Sequence, residues 1–178
     1  MNCGQKVHAA IRAARLLAPE PTGPSLEVGA SAKRLLSPHS DTIFVNQDRQ
    51  AIDSLDRGLI GDAGHLPFSD QAFDRVYACF LFCSLSDPGN VAAEIRRVLR
   101  KGGLFISVEH ELGGTPFSRN YQRVTNLIYM KPRGKCSLTV AAGSLIAGAG
   151  LRLDAEVTFN DSLQPLFARA FSRSITPF

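Results

Sequence analysis

The chain has 178 residues, 44% of them hydrophobic and 20% charged, the make-up of one globular domain built around one core over residues 1–178. No apolar run approaches the roughly 20 residues that cross a bilayer, and charges interrupt the N-terminal stretch MNCGQKVHAAIRAARLL. Neither a membrane span nor a signal peptide is therefore expected, and a cytoplasmic location is. The net charge of +4 is unevenly placed, with 12 Lys/Arg against 13 Asp/Glu in residues 1–111 and 8 against 3 in residues 112–178.

Four cysteines, Cys3, Cys79, Cys83 and Cys136, form no CxxC pair. Cys79 and Cys83 lie inside the apolar run YACFLFCSL as small buried hydrophobes, so neither a disulfide nor a zinc site is expected. Within the basic C-terminal part, Arg119, Arg123, Lys131, Arg133 and Lys135 have no acidic residue among them. A solvated basic face is the plainer reading of such a run, and an anionic ligand, a lipid surface or RNA are the others.

In chain order, VHAAIRAARLLA puts Val7, Ile11, Ala14 and Leu17 near helical spacing, and the proline-rich PEPTGP stops it; residues 1–24 read as a helix and a linker. Short strand-like runs follow, SLEVG, TIFV and GLIG, then FDRVYACFLFCSL and GLFISVEH. Strands alternating with helical segments predict a mainly parallel sheet covered by helices. The most sharply punctuated helix is DPGNVAAEIRRVLRKGG. Asp87 is the expected N-cap and Pro88 the first helical residue, with Val91, Ile95, Val98 and Leu99 on one face. Arg96, Arg97, Arg100 and Lys101 suit its C-terminal dipole, and Gly102 is the expected left-handed stop. Residues 112–142 read as the longest irregular stretch, of the kind that forms functional loops or lids. LTVAAGSLIAGAG is then a helix, and LRLDAEVTF with QPLFARAFSRS an antiparallel hairpin.

Ligands of an open parallel sheet bind at the carboxyl ends of its strands. Those ends hold Glu27 and Gly29, Asp48, Asp62 with Ala63, and Ala78 to Phe80. A carboxylate after the second strand can accept both hydroxyl hydrogen bonds of a ribose, and one after the third can accept from an exocyclic amine. Each residue alone is also a plain turn former or cap.

The run GDAGHLPFSDQAFDRVYACFLFCSLSDPGNVAAEIRRVLRKGGLFISVEH closely resembles the class I S-adenosylmethionine-dependent methyltransferases of the methyltransferase-11 type. The shared elements are GDA, LPF, FD, the apolar fourth strand, DP before a helix and VLRxGG before the fifth strand. FCSLSDP and VEH are similar to the branch that holds thiol and phospholipid N-methyltransferases. The resemblance implies a Rossmann-like, doubly wound, mostly parallel seven-stranded sheet with a C-terminal antiparallel hairpin, and S-adenosylmethionine as cofactor. It also implies a cofactor site at Glu27, Gly29, Ala30, Ser31, Asp48, Asp62, Ala63, Ala78 and Cys79.

Glycines at alternate positions after the acidic residue mark the family's first motif, and here only Gly29 remains, with Ser31 and Lys33 at the later positions. Ala30, Ser31 and Ala32 are small enough to allow close approach of a ligand. Lys33 is the sharper departure. The short spacing from Asp48 to Asp62 leaves little room for a helix between the second and third strands. His110, between Glu109 and Glu111, is a candidate general base or acceptor-orienting group. The expected reaction is methyl transfer to a small-molecule acceptor, with the acceptor site formed by the N-terminal helix and residues 112–142. No Asn-Pro-Pro-aromatic tetrad follows the fourth strand, which argues against nucleic-acid or protein-amide acceptors. The rival reading is a methyltransferase-like scaffold that has lost turnover through Ser31 and Lys33. A nicotinamide dehydrogenase ranks third, because GxGxxG is absent.

Overall fold

The structure is a computed structural model describing residues 3–18, 21, 23–29, 35, 41–130, 137–159 and 163–174. In chain order these form α1 (Cys3–Leu16), β1 (Ser25–Val28), β2 (Thr42–Asn46), α2 (Arg49–Ile52), β3 (Gly58–Ile60), β4 (Phe73–Cys79), α3 (Pro88–Val98) and β5 (Leu99–His110). Then come α4 (Pro116–Thr125), continued by a π-helical turn over Asn126–Met130, and α5 (Ala142–Gly148), β6 (Leu151–Phe159) and β7 (Leu166–Arg173). One seven-stranded sheet runs β3-β2-β1-β4-β5-β7-β6. The first five of those strands pair in parallel, and β7 is antiparallel to both β5 and β6. The doubly wound sheet with a C-terminal hairpin expected from the sequence is the one found.

Residues alternate between the two faces of a strand, and both faces are covered. Val76 and Ala78 of β4 join Phe105 and Phe171 in a core closed by Val91, Ala92, Ile95 and Val98 of α3 and by Ala142 and Ile146 of α5. Tyr77 and Cys79, one residue out of phase, point the other way, where Ile106, Val108 and Ala170 pack under Val7, Ala10, Ile11 and Ala14 of α1. This two-sided burial is why FDRVYAC reads as continuously apolar near its end.

The start of α3 is as its sequence predicts. The Asp87 carboxylate accepts from the Asn90 amide at 3.2 Å and Pro88 opens the helix. Its end is not at Gly102. The helix stops at Val98, and fully buried Leu99 turns extended and pairs with Phe73, beginning β5. Gly102 does adopt φ +74, but inside β5, next to the register shift between Phe73 and Arg75. Nor is it the helix's own arginines that meet its last carbonyls. Arg173 of β7 donates to the Arg96, Arg97 and Leu99 oxygens at 2.7, 3.1 and 2.5 Å. Burial, and then the nearby Arg96 charge, lower the pKa of Arg173.

Residues 112–142 also differ from expectation. Thr115 and Ser118 form a capping box, Pro116 occupies the first turn, and the chain is helical from Pro116 to Met130. The second helical segment starts at Ala142, later than LTVAA implies, because Ala141 bridges to Glu111 instead.

Candidate functional site

Strand order reverses between β1 and β4, and a pocket opens there at the strands' carboxyl ends. It is lined by Val28 and Gly29 after β1, Val45, Asn46 and Gln47 after β2, Gly61 and Ala63 after β3, and Phe80, Leu81, Ser84 and Leu85 after β4. Four adjacent strands thus converge on one crevice at a topological switch point.

Gly29 forms its floor with φ +74, its amide donating to the Val45 oxygen at 2.8 Å. A Cβ here would stand 2.9 Å from Cδ1 of Leu81, so both the dihedral and the neighbour demand glycine. Glu27, 1% exposed, is not in the lining and accepts from the Leu35 amide at 2.7 Å, while Arg15 of α1 donates to the Leu35 oxygen at 2.7 Å. It therefore holds the Leu35 backbone. Ala30 and Ser31, like Lys33, lie outside the described residues.

Asp48 does not line the pocket. One of its oxygens caps α2 by accepting from Gln50 at 3.0 Å, and its own amide donates to Asn46 Oδ1 at 2.9 Å. Asn46, the last residue of β2, is the side chain at the strand end. Asp62 lies just outside the lining, between Gly61 and Ala63. It accepts from the Gly64 amide at 2.9 Å and from Gln47 Nε2 at 3.0 Å, with His65 Nδ1 at 3.5 Å. These contacts, the Gly64 amide foremost, hold its carboxyl below the usual range. It is therefore an anion at neutral pH, immediately beside the wall made by Gln47.

Ala78 and Cys79 are core residues on opposite faces of β4. The next two residues, Phe80 and Leu81, form the wall. Phe80 has φ +55, rare for a residue with a bulky side chain, and its amide donates to the Val108 oxygen at 2.9 Å. Glu109 fixes the turn beyond it. Buried in β5, it accepts from the Leu81 and Phe82 amides at 2.7 and 3.1 Å through one oxygen. His110 is not in the lining; its ring packs on Phe80 with centroids 4.9 Å apart, one layer behind the wall.

A second set of contacts steadies the Asp62 side. Arg97 of α3 donates to Glu94, Asp70 and the Leu66 and Phe68 oxygens, and Glu94 also accepts from the Leu66 amide at 2.8 Å. Arg97 is the first cause of the lowered Glu94 pKa. The LPFSD segment is thereby clamped to α3.

Residues 27–107 match the family described as Methyltransferase domain, and the switch-point pocket falls among them. That match spans less than half of the chain, which over this part is similar to that family. The chain is 34% identical over 99 residues to the ubiquinone/menaquinone biosynthesis C-methyltransferase UbiE of Bordetella avium, covering 52% of this chain and 37% of that one. It is 45% identical over 49 residues to phosphatidylethanolamine N-methyltransferase of Cereibacter sphaeroides, covering 28% and 24%. Across the curated relatives it matches, the chain spans between 20% and 37% of their length. The YcgJ protein of Bacillus subtilis shares the fold with a TM-score of 0.75 at 14% identity, covering 94% of this chain and 99% of that one.

At this pocket, sequence reasoning missed Asn46, Gln47, Leu81 and Glu109 as site residues. Asn46 was visible as the polar end of TIFVN, and Glu109 as a carboxylate inside an otherwise apolar strand, a position that demands hydrogen-bonding partners. Nothing in the sequence marked Leu81 or Gln47. No cluster of potential metal ligands occurs among the described residues.

Proposed function

We propose that this chain, acting as a single domain, transfers a methyl group from S-adenosylmethionine to a small-molecule acceptor by direct in-line displacement. The observation that carries the reading is the pocket built from the ends of β1, β2, β3 and β4, with a glycine floor and polar groups at its β2 side. Its residues suit that cofactor. Gly29 presents backbone with no Cβ, Asn46 and Gln47 offer carboxamides that both donate and accept, and Asp62 supplies negative charge near a positively charged ligand.

When bound, S-adenosylmethionine supplies a methyl group already activated by its positive sulfur. The chain's own work is then alignment and exclusion of water, which is worth roughly 7–11 kcal/mol for well-oriented reactants. Phe80, Leu81 and Leu85 shut out water on the β4 side, while Glu109 keeps that turn in place. Glu27 holds the Leu35 backbone, and Ala30 and Ser31 are proposed as cofactor contacts. His110 is proposed as the proton acceptor or orienting group on the acceptor side, reached past Phe80. The acceptor is of the small-molecule classes that the names of the relatives indicate, quinones and lipids among them. Asp48 shapes the pocket indirectly, through α2 and Asn46, and Ala78 and Cys79 act by packing. Cys79 and Cys83, both buried in the core, suit a cytoplasmic location.

Calorimetric titration with S-adenosylmethionine and S-adenosylhomocysteine tests this. Both are expected to bind, and Gly29→Val to abolish binding without unfolding the sheet. Tighter binding by Lys33→Gly would trace any weakness to the altered first motif. No heat and no thermal shift at saturating ligand would leave the scaffold reading, which the Ser31 and Lys33 departures favour.

A further inference from the structure

The helical segment after β5 is inside out. Its buried side is polar: Ser118, Gln122 and Asn126 are 1%, 0% and 5% exposed. Ser118 is bonded within the capping box to Thr115, and the other two are hydrogen-bonded inward. Gln122 accepts from the Gly113 amide at 2.7 Å and donates to the Glu111 oxygen at 3.0 Å, and Asn126 accepts from the Leu138 amide at 3.2 Å. Its solvent side is apolar. Phe117, Tyr121, Val124, Leu127 and Ile128 are 75%, 38%, 49%, 70% and 68% exposed. Phe117, Tyr121, Val124 and Ile128 recur at helical spacing, so they make one stripe about 17 Å long at about 1.5 Å per residue.

Stripes of this size on a protein surface mark a place of contact. Charge says with what. From Leu112 to Val140 the sequence has five Lys/Arg and no Asp/Glu, and of these Arg119 and Arg123 are exposed on the helix itself. A second copy of this chain would bring like charge to like, whereas an anionic lipid surface is complementary. We propose that Pro116–Met130 is an interfacial helix that docks the protein on an anionic bilayer, its stripe in the acyl boundary and its arginines at the headgroups. Gln122 ties the helix to the carbonyl that follows β5, so the helix is attached at the carboxyl end of the parallel strands, the end that holds the candidate site. That docking thereby favours an acceptor drawn from the bilayer rests on the proposed methyl transfer; the docking itself does not.

Co-sedimentation with phosphatidylcholine vesicles, with and without phosphatidylglycerol, tests it with no methyl transfer involved. The chain is expected to pellet with the phosphatidylglycerol vesicles and to be released as salt rises. The exposed pair Phe117→Gln with Ile128→Gln is expected to weaken binding about tenfold or more at unchanged thermal midpoint. Because the chain has no tryptophan, Phe117→Trp gives a single indole whose emission should shift to the blue on anionic vesicles. No pelleting and no shift would overturn the proposal. So would a dimer in sedimentation analysis that the two glutamines dissociate, which would make a second copy the occupant.

Discussion

Helices α3 and α4 are of similar length and both begin with a polar cap followed by proline, yet they meet the molecule with opposite faces. α3 buries Val91, Ala92, Ile95 and Val98, and α4 buries Ser118 and Gln122 while holding Phe117, Tyr121 and Val124 toward solvent. The first is fixed by the hydrophobic effect, the second by hydrogen bonds to the Gly113 amide and the Glu111 carbonyl. Removing water from apolar area is worth roughly 25 cal/mol per Å² whatever the geometry, whereas a hydrogen-bonded face is worth only about 1 kcal/mol per bond and loses that if a partner is absent. α3 is thus part of the core, and α4 is an attachment to it.

The largest expected effect is therefore in α3. Ile95→Ala, at a fully buried position, should lower unfolding free energy in urea by about 2–5 kcal/mol. A loss under about 1 kcal/mol would mean that α3 is not a core element and would erase the contrast. Next comes Gln122→Leu, which keeps the volume but strands a buried amide and carbonyl. The expected cost is about 1–3 kcal/mol, concentrated in α4 and visible as faster amide exchange there than in α3. Stabilisation by leucine would show that the polar inner face does not hold the helix.

A smaller effect separates the two through acid. Glu94 of α3 titrates below its ordinary value of 4.5 because Arg97 and the Leu66 amide favour its ionised form. The folded state thus takes up this proton less readily than the unfolded one. Its contribution to stability is complete above pH 4.5 and is lost as pH falls through the folded value. Arg97→Leu should flatten that acid limb and speed exchange in residues 61–70, with α4 unchanged. An acid limb identical to that of the parent would remove Arg97 from the clamp.

The same contrast explains what the sequence made legible. α3, the sheet and the reversal at β1 and β4 follow from apolar period and from the in-order motifs between Gly61 and His110. α4 was legible in the helical spacing of Phe117, Tyr121, Val124 and Ile128 and in Thr115-Pro116, but its apolar side faces solvent, the reverse of what such a period ordinarily implies. At the site, the sequence argument for Asp48 is that a carboxylate near a strand end suits a ribose. β2 ends two residues earlier, at Asn46, and the Asp48 side chain is spent on the α2 cap. Gly102 marked a real left-handed residue but not a helix stop, since Leu99 had already been claimed by its pairing with Phe73. Long-range partners of this kind, Arg173 on α3 and Glu109 on the Leu81 turn among them, depend on which strands become neighbours, and no local window of sequence contains that.

The smallest expected effect is the one that most sharpens the comparison. Val124→Gln, on the outer face of α4 at 49% exposure, should leave unfolding free energy within about 0.5 kcal/mol of the parent. The same exchange at the matching inward residue of α3, Val91 at 2% exposure, places a carboxamide in the core and should cost several times more. If Val124→Gln were costly, the outer face would already be covered by some part of this chain, and the membrane-docking proposal would lose its surface. If it is neutral in stability but weakens vesicle binding, the stripe contributes nothing to the fold and its apolar character is accounted for by contact outside the molecule.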